Sequence, residues 1–73
     1  MKKTFEMEEL DCAHCASKME TAIRTIDGVA SASINFFAQK LTIEFADGAD
    51  EKKIMKEAQK ACKKVDPDCR ILL

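Results

Sequence analysis

Polar and apolar positions along the chain alternate between a period of two and a period near 3.6, and each switch marks an element. Residues 3–8 alternate, with Phe5 and Met7 on one face, and predict a short strand. From Cys15 the apolar residues Cys15, Met19, Ala22, Ile23 and Ile26 follow one helical face. Glu20 and Arg24 lie four apart on the opposite side, where they can pair weakly. Asp27-Gly28 ends this helix, with Gly28 suited to the left-handed position after the last turn.

Residues 29–36 alternate again, setting Ala30, Ala32, Ile34 and Phe36 against Val29, Ser31, Ser33 and Asn35. Residues 40–45 alternate more cleanly, with Leu41, Ile43 and Phe45 inward. A polar connection at Ala38-Gln39 makes the two a hairpin. Asp47-Gly48 predicts a turn and Asp50 a helix N-cap. A second helix runs to about Lys64 on an apolar face of Ile54, Ala58, Ala61 or Cys62, and Val65. Asp66-Pro67-Asp68 breaks it, and Cys69–Leu73 forms a last strand. The order βαββαβ predicts an α+β, ferredoxin-like sandwich. Four antiparallel strands then carry both helices on one face.

At 73 residues the chain is expected to be one domain, residues 1–73, with a thin apolar core and no room for a large internal cofactor. Its 47% hydrophobic and 34% charged content is that of a globular chain. The formal net charge of −1, without Trp or Tyr, argues against nucleic acid, which calls for a basic excess and stacking aromatics. No apolar run reaches the roughly 20 residues that cross a bilayer. The first residues turn acidic where a signal peptide would be apolar. The expected location is therefore the cytoplasm. Four Cys residues in a reduced compartment are ligands, nucleophiles or packing groups rather than a disulfide framework.

The chemistry concentrates at Asp11-Cys12-Ala13-His14-Cys15, where the first strand gives way to the first helix. Two thiolates separated by two residues can converge on one ion. Unpaired N–H groups and the helix dipole favour negative charge there, which predicts a lowered pKa for both thiols. Asp11 offers a carboxylate as third ligand. Purely thiolate sites suit Cu⁺, whereas Zn²⁺ and its heavier relatives take more donors and accept oxygen. Glu6, Glu8, Glu9 and Asp11 also make the approach acidic, which favours a divalent cation. The alternative role for Asp11 is to cap the helix.

These residues resemble the heavy-metal-associated domains of small metallochaperones, mercury-binding proteins and the N-terminal modules of metal-pumping P-type ATPases. The resemblance is carried by Cys12-Ala13-His14-Cys15-Ala16 and by Gly28-Val29-Ala30-Ser31-Ala32-Ser33-Ile34-Asn35. It implies that Cys12 and Cys15 are metal ligands. The family's common loop reads Gly-Met-Thr before the first Cys, and here it is Glu9-Leu10-Asp11. Leu10 suits the buried Met position, and Asp11 resembles the variant of zinc-, cadmium- and lead-exporting pumps. Copper members often carry Lys or Tyr before the last strand, where this chain has Val65-Asp66-Pro67-Asp68.

The expected function is binding and transfer of one soft ion, not catalysis. Zn²⁺, Cd²⁺ or Pb²⁺ lead, with Cu⁺ behind them. The resemblance implies a place as the N-terminal domain of a metal-transporting ATPase on the cytosolic side of a membrane, with a stand-alone Cu⁺ or Hg²⁺ metallochaperone as the alternative. Partners would be such an ATPase or a chaperone. The expected state is a monomer, with a metal-bridged dimer as the alternative. His14 is expected to face solvent between the converging thiols. Cys62, Met7, Met19 and Met55 fall in the apolar period of their elements and read as core. Cys69 stays open between strand start and accessory ligand. Lys52, Lys53, Lys56, Lys60, Lys63 and Lys64 read as a solvated face.

A rival of another class is a thiol–disulfide oxidoreductase, since a Cys pair at a helix start also serves that chemistry. Asp11 beside the pair disfavours the thiolate such an enzyme needs, and the one Pro, Pro67, stands before the final strand. A structural zinc site would need a second close pair of ligands, and positions 62 and 69 do not supply it.

Overall fold

The computed structural model describes residues 2–73. Strand β1 covers Lys2–Glu8, helix α1 Ala13–Arg24, β2 Val29–Asn35, β3 Lys40–Phe45, α2 Glu51–Val65 and β4 Arg70–Ile71. The strands form one antiparallel sheet in the order β2-β3-β1-β4. This is the expected ferredoxin-like βαββαβ arrangement. Alternation explains which sheet face is covered. Met7, Leu41, Ile43 and Ile71 point to the helices, while Thr4 and Thr42 pair their hydroxyls on the open face. Against the covered face α1 sets Ala16, Met19 and Ile23, and α2 sets Ile54, Met55, Ala58 and Cys62.

Each helix has a local start and stop. Asp50 caps α2 by accepting from the Lys53 N–H at 3.3 Å. At the other end Pro67 forces Asp66 into an extended conformation, and α2 stops at Val65. Helix α1 ends at Arg24, two residues before the apolar period runs out. The N–H groups of Thr25 and Ile26 bond three residues back, to Ala22 and Ile23, and tighten the last turn. Gly28 is left-handed as expected, at φ 94°, but it opens the path into β2 rather than capping α1 directly.

A Cβ on Gly28 would stand 2.8 Å from Ile54 Cδ1 and 3.3 Å from Ala49 Cβ. Gly28→Ala is therefore expected to lower unfolding stability by roughly 2 to 3 kcal/mol, part from the left-handed backbone and part from crowding. Chemical denaturation checks this, and an unmoved midpoint would contradict the contact.

The alternation of residues 29–36 breaks at its first step. Val29 pairs with Phe45 and Ser31 with Glu44, so Ala30 is an extra, bulged residue. Val29 packs on the core and Ala30 is exposed, the reverse of the expected order. From Ala32 onward the expected phase holds. The last strand is shorter than Cys69–Leu73, because a turn bond from Cys69 N to Asp66 O delays pairing and Leu73 lies open.

Both sheet edges are closed by helix side chains. Along β2, Glu20 accepts from Ile34 N and Arg24 donates to Ala32 O, while the two side chains pair at 3.0 Å. The pair thus ties α1 to an edge strand instead of merely facing water. On β4, the Gln59 amide both donates to and accepts from the backbone of Ile71, each at 2.8 Å.

Candidate metal-binding loop

The loop between β1 and α1 is anchored at both ends. Glu9 turns the chain through a left-handed backbone at φ 61°, and Leu10 then drops its side chain into the core at 2% exposure. Leu10 thus occupies the buried position that the resemblance gave it. Its peptide groups are held by the side-chain amide of Gln39 from the β2–β3 hairpin. Beyond Leu10 the chain surfaces: Asp11, Ala13 and His14 are exposed, and Cys12 and Cys15 are half-buried. His14 faces solvent as expected.

Cys12, not Asp11, caps α1. Its Sγ accepts from the Cys15 N–H at 3.2 Å, and Ala16 N donates to its carbonyl. Asp11 has no hydrogen bond or ion pair among the described residues, so its carboxylate is uncommitted. The capping alternative for Asp11 is thereby corrected. The reason is geometric: the helix begins at Ala13, which places position 12 at the cap.

The two thiols do not titrate alike. Hydrogen bonding from the Cys15 side chain and N–H, with help from the His14 N–H, draws the Cys12 thiol below its ordinary range. Donating that same bond pushes the Cys15 thiol up, as do partial burial and the charges of Cys12 and Asp66, against a smaller pull from Lys18. The expectation that both thiols are lowered holds for Cys12 and fails for Cys15. One proton shared between neighbouring sulfurs cannot favour both anions.

Asp66, which reads in the sequence only as part of a helix break, faces this loop. It acts on Cys12, Cys15 and Cys69 alike. The only sequence signal for it was its place in the loop before the last strand. Of the acidic residues expected to line the approach, Glu8 is taken up by Arg70, whose Nη2 lies 2.6 Å from its Oε1. Glu6 sits on β1 opposite Lys40. The negative charge that the thiols feel comes from Asp66, which acts on Cys12, Cys15 and Cys69, and from Asp11, which acts on Cys69.

The remaining sulfurs lie beneath. Cys69 is fully buried with its thiol against Met19 Sδ at 4.0 Å, and burial first, then Asp66, Asp11 and Cys15, pushes it up to about 11. Cys62 is buried as expected and pushed up to about 12, mainly by burial. Both are neutral thiols at ordinary pH. Met7, Met19 and Met55 are core residues. The six lysines of α2 are all exposed, as expected of a solvated face. Among the described residues no three His, Cys, Asp or Glu side chains are gathered closely enough to hold an ion together. The structure thus brings Cys12 and Cys15 together and leaves Asp11 beside them, unengaged.

A ferredoxin-like sandwich with a half-buried Cys pair at its first strand–helix junction defines a small thiol-bearing domain suited to soft metal ions. The chain belongs to the heavy-metal-associated domain family, whose model matches residues 4–64. Members are metal-binding and metal-transferring domains. The chain is 34% identical over 67 residues to the cadmium, zinc and cobalt-transporting ATPase of Bacillus subtilis, covering 92% of this chain and 9% of that protein. It is 32% identical over 57 residues to the copper chaperone CopZ of Staphylococcus aureus, covering 78% of this chain and 84% of that one. A solved CopZ metallochaperone superposes with a TM-score of 0.75 at 24% identity, covering 99% of this chain and all of the other. Among the described residues no helix is long and apolar enough to cross a membrane.

Proposed function

We propose that Cys12, Cys15 and Asp11 bind one divalent soft ion, Zn²⁺, Cd²⁺ or Pb²⁺, and pass it on by ligand exchange. The observation that carries this reading is the uncommitted carboxylate of Asp11 beside the thiol pair. With Cys12 doing the capping, the Asp11 side chain is free to swing onto an ion held by the two sulfurs. Two sulfurs and one oxygen leave such an ion short of the four donors it prefers. An incoming ligand from a partner can then bind before the first ones leave. The proximity of Asp66 adds negative charge that favours a divalent cargo.

In this reading residues 1–73 form one cytosolic metal-binding unit of a Zn²⁺/Cd²⁺/Pb²⁺-transporting P-type ATPase, consistent with the likeness to the cadmium, zinc and cobalt-transporting enzyme. A second reading is a free copper chaperone, favoured by the likeness to CopZ over 84% of that protein's length. Competition of Zn²⁺ and Cd²⁺ against Cu⁺ on the reduced protein and on Asp11→Ala separates them. The expected result is that Asp11→Ala weakens divalent binding by about tenfold or more, the scale of one lost charged ligand, while Cu⁺ affinity holds. If the substitution leaves the divalent ions untouched and Cu⁺ dominates, the copper reading replaces the first.

A further inference from the structure

Between the end of β1 and the start of α1 the chain leaves the sheet, and the peptide groups of Leu10 lose their strand neighbours. The Gln39 side chain takes their place. Leu10 N donates to Gln39 Oε1 at 3.1 Å, and Gln39 Nε2 donates to Leu10 O at 2.6 Å. A primary amide presents the same donor and acceptor as a peptide, so Gln39 pairs with Leu10 as a strand would. The amide is itself braced, since Nε2 also donates to Phe36 O at 2.8 Å. The Gln39 carbonyl meanwhile accepts from Met7 N at 2.8 Å. Its backbone is left-handed at φ 56°, a conformation that non-glycine residues rarely adopt.

We infer that Gln39 is a positioning residue for metal binding, which holds the N-terminal end of the ion-binding loop so that only residues 11–15 rearrange around the ion. This inference rests on the proposed Cys12–Cys15 site. The opposite end of those five residues is already fixed by the first turn of α1. With Leu10 clamped, the loop is ordered before the ion arrives, and less ordering is left for binding to accomplish. Without the clamp, the backbone around Leu10 and Asp11 becomes free in the empty protein, and ordering it on binding weakens affinity.

A matched pair of substitutions tests this. Gln59 makes the same two-way amide contact with Ile71 of β4 and bonds no residue of 9–15, and so controls for the loss of such an amide clamp as a matter of stability. Cd²⁺ affinity is measured by competition with a chromophoric chelator for Gln39→Met, Gln59→Met and the parent, below the unfolding temperature of each. Gln39→Met should bind Cd²⁺ about tenfold more weakly, as expected for freeing roughly one residue's backbone, with Gln59→Met within about twofold of the parent. Gln39→Gly serves as a second variant, because glycine accepts the left-handed backbone and keeps the hairpin folded while removing the amide. Parent-like affinity in both Gln39 variants would overturn the inference. So would an equal loss in Gln59→Met, which would reduce the effect to general destabilisation. Cys12→Ser with Cys15→Ser runs alongside: retained tight Cd²⁺ binding there overturns the site and the clamp together, whereas lost binding there with parent-like Gln39 variants overturns the clamp alone.

Discussion

Cys12→Ser combined with Cys15→Ser is expected to leave the fold intact and to remove stoichiometric Cd²⁺ binding. The fold should survive because neither side chain is part of the fully buried core. At position 12 the substitution even keeps the cap, since Ser is among the preferred N-cap residues and its oxygen can accept where Cys12 Sγ now does. Metal binding should fail because the ligand is the thiolate, and a Ser hydroxyl neither ionises in this range nor offers a soft donor. The other two sulfurs cannot substitute. Cys62 and Cys69 are fully buried and held as neutral thiols, at about 12 and about 11. Equilibrium dialysis with metal analysis gives the stoichiometry, and circular dichroism reports the fold. One equivalent of tightly held Cd²⁺ in a folded double variant would move the site away from this loop.

The element order was legible because most of the chain obeys one period at a time. In β3 the inward set Leu41, Ile43 and Phe45 is buried without exception. In α2 the four-residue spacing of Ile54, Ala58 and Cys62 leads directly to the buried face. The failures fall where two neighbours are equally apolar or where a partner lies far along the chain. Val29 and Ala30 both satisfy an inward position, and only pairing with β3 decides that Ala30 is the bulged one. Such an extra residue costs the sequence no polar signal.

The site was legible in part for a similar reason. The Cys pair and its junction follow from local spacing alone. Which residue caps α1 does not, because Asp11 fits the capping preference better than Cys12, and one residue of helix phase reverses their roles. The split between the two thiols depends on a hydrogen bond that one sulfur gives and the other receives. Asp66, 51 positions beyond Cys15, reaches the loop only through the fold. Gln39 is an unremarkable polar residue in a predicted hairpin until its amide is seen on Leu10, 29 residues away.

Acid should release the metal steeply, and the split between the thiols sets how steeply. Binding one ion to two thiolates displaces whatever protons the thiols carry, so affinity falls as pH falls. Cys15, raised above its ordinary range, carries its proton in the empty protein at every pH near neutrality. Its displacement costs about tenfold in affinity per pH unit. Cys12, lowered below its ordinary range, loses its proton earlier and contributes a second tenfold only below its own pKa. The logarithm of Cd²⁺ affinity plotted against pH should therefore rise with a slope between one and two protons, roughly tenfold to a hundredfold per unit, with the Cys15 proton displaced throughout and the Cys12 proton adding most at the acid end. Competition titrations between pH 8 and pH 5 in a non-coordinating buffer give that slope. In Cys12→Ser any residual binding should follow a slope no greater than one throughout, since one thiol proton remains to be displaced. A pH-independent affinity in the parent would exclude thiolate ligation altogether.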